Sequence, residues 1–138
     1  MKISKILWEG KPTAAVFDGD YARPIPGYTL RDLVRRSEIE KIPLGELAGM
    51  LASAHQEKLP PILPLHPTEV WACGCTYEVS SSFRDAEHGT REGFYAQVYK
   101  QPRPEIFFKG TTRVCVGPGE PIGIRFDSKF TAPEPELA

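Results

Sequence analysis

Along the first 27 residues apolar and polar positions alternate in three short runs, "KISKILW", "TAAVF" and "YARPI", separated by Glu9-Gly10 and by Asp18-Gly19. A period of two interrupted by tight-turn dipeptides predicts an antiparallel meander of three small strands. From Thr29 the period becomes helical. Leu30, Leu33 and Val34 share one face of "LRDLVRRSE", and Thr29 with Asp32 three residues on has the spacing of a capping pair. "PLGELAGMLASA" repeats the pattern through Leu44, Leu47, Ala48 and Leu51, with Pro43 at its first turn and Gly45 and Gly49 weakening it.

The next stretch, "EKLPPILPLHP", carries Pro60, Pro61, Pro64 and Pro67, which remove backbone donors and force extended neighbours. It is expected to be a linker ending near Pro67. After it, "EVWACGCTY" is an apolar, β-prone run, and "SSSFRDAEHGTREGFYAQVYK" is polar with a helical stretch toward its end. The remainder, from "PEIFFKG" through "CVGPGEPIGI", returns to short strands with Gly-Pro-Gly at a turn. The fold class is therefore α+β, with residues 1–66 as an N-terminal α+β module and residues 67–138 as the first part of a β-rich domain.

Composition narrows the partners. At 138 residues and 41% hydrophobic content the chain can bury a core. Its 17 Lys and Arg against 18 Asp and Glu leave a net charge of -1, so nothing electrostatic favours DNA, RNA or an anionic membrane. No run approaches the length of a membrane span and "MKISKILWEGK" lacks the apolar core of a signal peptide, so a cytoplasmic site is expected. Cys73, Cys75 and Cys115 are an odd number, which fits reduced thiols. A zinc site from Cys73, Cys75, His66 and His88 is disfavoured, because Cys-x-Cys within an apolar strand is not the usual ligand spacing. Trp71 and the cysteines are assigned to the core instead. "CVGPGEPIGI" is glycine-rich, but no Lys-Ser/Thr follows, so it reads as a hairpin and not a phosphate loop.

Glu134 and Glu136, each preceded by a proline in "APEPELA", would point to one face of an extended strand, close enough to share a hard cation. On spacing alone a solvated Pro-rich tail is the better reading. Lys109 in "IFFKG" and Glu105 before it likewise read on their own as a surface lysine and an exposed loop carboxylate.

Taken together, "EVWACGCTYEVSSSFRD", "VYKQPRPEIFFKGTTRVCVGPGEPIGIRFDS" and "APEPELA" change that reading. Their order and spacing resemble the opening of the catalytic domain in the fumarylacetoacetate hydrolase family, most of all its 2-keto-3-deoxy-sugar-acid dehydratase branch. The resemblance runs from Val70 to the end and implies the start of a mixed β-roll, incomplete here, in a protein about twice as long. It implies that Glu134 and Glu136 are two ligands of Mg²⁺ (or Mn²⁺ or Ca²⁺), with a later aspartate as the third. It also implies a small 2-oxo acid as substrate and a homo-oligomer at full length. Lys109 would stabilise an enolate or carboxylate, and Glu105 would act as acid or base near C3 of the keto acid. Where many members carry a histidine three residues after the tyrosine, this sequence has Ser80 after Tyr77, which favours dehydration over carbon-carbon bond hydrolysis. Residues 80–93 would be a lid, disordered when the site is empty. Two alternatives stand beside this reading: a hydrolase of the acylpyruvase type, and a non-catalytic oligomerisation module formed by residues 1–66.

Overall fold

The computed structural model describes residues 1–87 and 93–131, which form two compact units. The first comprises Met1–Leu65 and the described part of Val116–Ala138; the second is His66–Cys115. The architecture is α+β.

In the first unit, β1 (Lys2–Trp8), β2 (Lys11–Asp18) and β3 (Tyr21–Ile25) make the expected antiparallel meander in the order β1-β2-β3. Glu9 and Gly10 join the first two strands with φ of 50° and 73°, both left-handed as a type I′ turn demands. The second turn sits one residue later than the dipeptide suggests. Asp18 pairs with Tyr21, so Gly19 and Asp20 are the turn residues, and Gly19 takes the left-handed position at φ 57°.

Helices α1 (Leu30–Glu40) and α2 (Leu44–Leu51) cover one face of this sheet. Ala14, Val16 and Ile25 from the strands meet Leu30, Leu33, Leu47 and Ala48 from the helices in one buried cluster. The capping pair at the start of α1 is formed in both directions. Asp32 N–H donates to Thr29 Oγ1 at 3.2 Å, and Thr29 N–H donates to Asp32 Oδ2 at 3.0 Å. The Thr29 hydrogen bonds hold the Asp32 carboxyl below its ordinary value. A carboxylate depressed in the folded state stabilises above its unfolded pKa of about 3.9 and loses that contribution as pH falls through the folded value. Thr29→Ala should therefore lower the urea midpoint at neutral pH, and the gap to the parent should narrow below about pH 4.

The Pro-rich stretch expected to be a linker is instead a strap across the other face. Ala22 N–H donates to Glu57 C=O at 2.8 Å at the edge of β3, and Ile62 N–H donates to Lys5 C=O at 2.8 Å at the edge of β1. Between them Leu59 packs on Ile6, Ala15 and Ala22. Prolines between the anchors cost no hydrogen bond there, because each sheet edge takes its donor or acceptor from a non-proline residue.

From Val116 on, the expected hairpin is present only as its turn. Glu120 N–H donates to Gly117 C=O at 3.1 Å, and the Glu120 carboxylate accepts from Gly117 N–H. Gly117 is required there, since a Cβ would lie 2.8 Å from Leu63 N. No strand follows among the described residues. Ile122, Ile124 and Phe126 alternate as a strand would, but they have no partner strand to pair with and stand exposed.

The second unit pairs β4 (Val70–Cys73) with β5 (Ile106–Gly110) in a two-stranded antiparallel sheet. Helices α3 (Glu78–Glu87) and α4 (Phe94–Tyr99) pack on each other. The segment expected to be a disordered lid is thus helical over Ser80–Glu87, while His88 and its neighbours to residue 92 lie outside the described residues. Trp71 is not a core residue: it is 58% exposed and meets the Phe108 ring edge-on at 5.8 Å. No disulfide joins the cysteines. Among the described residues no helix is long and apolar enough to cross a membrane.

Candidate active site

The sequence-predicted groups of the second unit are placed by β4, β5 and the start of α3. Cys73 pairs with Ile106, and one step further Gly74 N–H donates to Glu105 C=O at 2.8 Å, so Glu105 is locked opposite the turn that ends β4. A Cβ on Gly74 would stand 3.6 Å from Glu105 Cβ and 3.9 Å from its Oε2; the carboxylate thus lies over the bare backbone of the glycine. Cys75, next in the turn, is left-handed at φ 50°, a conformation costing an L-residue about 1 kcal/mol. That kink sends the chain from the strand into Tyr77 and α3.

Tyr77 immediately precedes α3, and its carbonyl accepts from Ser81 N–H at 3.1 Å. Ser80 is half-buried in the first turn of the helix, next to Ser81, whose hydroxyl donates to Glu78 C=O at 2.7 Å.

Lys109 sits at the other end of β5. Val70 pairs with Gly110 and Trp71 with Phe108, so Lys109 is the extra residue of a β-bulge. A bulge re-aims the side chain it carries, and Lys109 Nζ lies over the Phe107 ring, 5.6 Å from its centroid. Glu105 and Lys109 are four strand residues apart, about 13 Å along β5 at ~3.3 Å per residue. The structure therefore brings Glu105 to the Gly74–Tyr77 turn and places Lys109 at the opposite end of the same strand. The sequence reading missed the Gly74–Glu105 lock and the bulge. The glycine within the apolar run "EVWACGCTY" is the signal that could have found the first.

Glu134 and Glu136 lie outside the described residues. Among the described residues no cluster of three or more His, Cys, Asp or Glu could hold a metal ion, and His88 of the zinc alternative lies outside them. A groove of about 850 Å³ in the first unit, lined by Phe17, Leu59, Pro60 and Pro61 with Lys2 and Lys58, contains none of the candidate groups.

In fold, the chain is similar to solved structures of a dehydratase. For 2-keto-3-deoxy-D-arabinonate dehydratase in its apo form the TM-score is 0.59 at 31% identity, over 99% of this chain and 48% of that one. For the same enzyme complexed with magnesium and 2,5-dioxopentanoate the TM-score is 0.57 at 30% identity, over 99% and 48%.

In sequence, the chain is 33% identical over 147 residues to 2-dehydro-3-deoxy-D-arabinonate dehydratase of Saccharolobus solfataricus, covering 100% of this chain and 49% of that protein. It is 36% identical over 115 residues to the probable 2-keto-3-deoxyxylonate dehydratase of Haloferax volcanii, covering 79% and 39%. The chain thus spans about half the length or less of the curated relatives it matches. No protein-family model matches it.

Proposed function

We propose that the chain supplies one half of a cytoplasmic, divalent-metal-dependent dehydratase of the fumarylacetoacetate hydrolase family, acting on a 2-keto-3-deoxy sugar acid. The observation that carries this reading is the likeness to 2-keto-3-deoxy-D-arabinonate dehydratase over 99% of the chain, in sequence and in fold together. Glu134 and Glu136 would hold Mg²⁺, since paired carboxylate oxygens suit a hard cation. When bound, the ion polarises the 2-oxo group and so acidifies the protons on C3.

The chain's own groups do the rest. Glu105, fixed over Gly74, takes a proton from C3. The electron pair of that C–H bond becomes the C3=C4 double bond as the C4–O bond breaks, and Glu105 returns the proton to the departing hydroxyl, which leaves as water. For a five-carbon substrate the product is a tautomer of 2,5-dioxopentanoate. Tyr77 and Ser80 hydroxyls orient the substrate hydroxyls. Lys109, carried at the bulge of β5, offsets negative charge on the substrate. Ser80 cannot activate water as an imidazole does, which supports dehydration over hydrolysis.

The chain by itself should show no appreciable turnover, because two ligands without a third leave ion and substrate unpositioned. A steady-state rate on the order of 1 s⁻¹ would contradict this. In the chain completed by the half of the Saccharolobus enzyme that it does not match, Glu105→Gln should slow exchange of the C3 proton with D₂O by about 100-fold or more, read by NMR. Exchange at the parent rate would remove Glu105 from its role.

A further inference from the structure

The strap across the first unit borders a groove of about 850 Å³, a volume within the range of small-molecule sites. On one side are the start of β1 at Ile3 and the end of β2 at Phe17; on the other are Leu59, Pro60 and Pro61 of the strap. Phe17 and Leu59 both pack on the buried Ile6, Ala15 and Ala22, so the apolar lining continues from the core beneath it. Pro64 and Pro118 complete the walls. Proline rings have no rotamer freedom to lose when a ligand settles against them, and they offer no N–H to one. The strap is also fixed at both ends, by Glu57 at β3 and by Ile62 at β1. The groove is therefore formed before anything enters it, which lowers the ordering cost of binding.

The charged lining of the groove is Lys2, Lys58 and Asp20. Lys58 Nζ lies 3.4 Å from Asp20 Oδ2, which offsets one of the two cations. Lys2 has no ion-pair partner among the described residues, so one ammonium is left uncompensated beside an apolar slot. The complement of that arrangement is a flat apolar body with a single negative charge. We infer that the groove is a binding site for a small aromatic monocarboxylate, its ring against Phe17 and the proline faces and its carboxylate toward Lys2. A bare inorganic anion would leave the apolar walls unused. An extended peptide fits less well, because the edges of β1 at Lys5 and of β3 at Ala22 are already bonded to the strap and the prolines supply no donors to a backbone. The inference concerns the first unit alone and stands apart from the chemistry proposed above.

The test titrates the full chain with 2-naphthylacetate, without metal and at low ionic strength, and follows backbone amide shifts by NMR. A Kd at or below about 1 mM is expected, with the shifts centred on the amides of Ile3, Ser4, Phe17 and Leu59. Lys2→Gln, at an exposed strand end, should weaken binding by about 3-fold or more. Asp20→Asn, at a turn position 77% exposed, releases Lys58 from its ion pair and should tighten binding by about 2-fold. The neutral 2-naphthylacetamide should bind about 3-fold or more weaker than the acid and respond to neither substitution, which separates the charge contribution from the apolar one. No saturable binding, shifts centred on residues 105–109 instead of the groove, an amide that binds as tightly as the acid, or variants at Lys2 and Asp20 that both bind as the parent does would each overturn the inference.

Discussion

Replacing Glu134 or Glu136 by Gln, in the chain completed by the unmatched half of the Saccharolobus enzyme, is expected to cut dehydration by about 10²–10³-fold, the scale on which loss of one preorganised charge-stabilising group acts. Glutamine keeps the length and one oxygen of glutamate but removes the charge that a hard cation needs. Mn²⁺ affinity, read by electron paramagnetic resonance, should fall with activity in both variants. Glu120→Gln is the matched control. Its carboxylate accepts the Gly117 N–H within a turn, and an amide oxygen can accept the same bond, so metal affinity and rate should stay at the parent value. If Glu136→Gln binds Mn²⁺ and turns over as the parent does, the terminal pair is the solvated tail that its spacing alone suggests.

The largest effect on stability is expected at Leu33. It is fully buried where α1 meets the sheet, so Leu33→Ala removes apolar area and leaves a cavity among Val16, Ile25 and Leu47. A loss of about 2–5 kcal/mol should follow, a large share of the stability of a small domain. Met50→Ala, at an exposed position of α2, should stay within about 0.5 kcal/mol of the parent. Equal urea midpoints for Leu33→Ala and the parent would show that the helices do not pack on the sheet as described.

What the sequence made legible is what local pattern dictates. The meander, the capped α1 and the start of α2 follow from periodicity and from Thr29, Asp32 and Pro43, whose effects act within one turn of chain. Prolines 60, 61 and 64 correctly excluded helix, yet nothing local says that Glu57 and Ile62 reach opposite edges of a sheet formed 35 or more residues earlier. Trp71 read as core because apolar strands usually hide their side chains; here no described element covers that face. For the same reason Ile122 and Ile124 carry a strand pattern without a strand, since pairing needs a partner and pattern cannot supply one. At the site, Lys109 was legible as a strand residue, but its bulge exists only in the register between β4 and β5. The Gly74–Glu105 lock is likewise a property of the pairing, foreshadowed only by a glycine in an apolar run.

The claim that this chain is the carboxylate-bearing half of a dehydratase is tested most directly by measuring Mg²⁺-dependent conversion of 2-keto-3-deoxy-D-arabinonate to 2,5-dioxopentanoate by the completed protein. The expected result is a rate on the order of 1 s⁻¹ or more that disappears with EDTA and returns with Mg²⁺. An assembled, folded protein that binds the sugar acid and forms no dioxo product with Mg²⁺ or Mn²⁺ would contradict it.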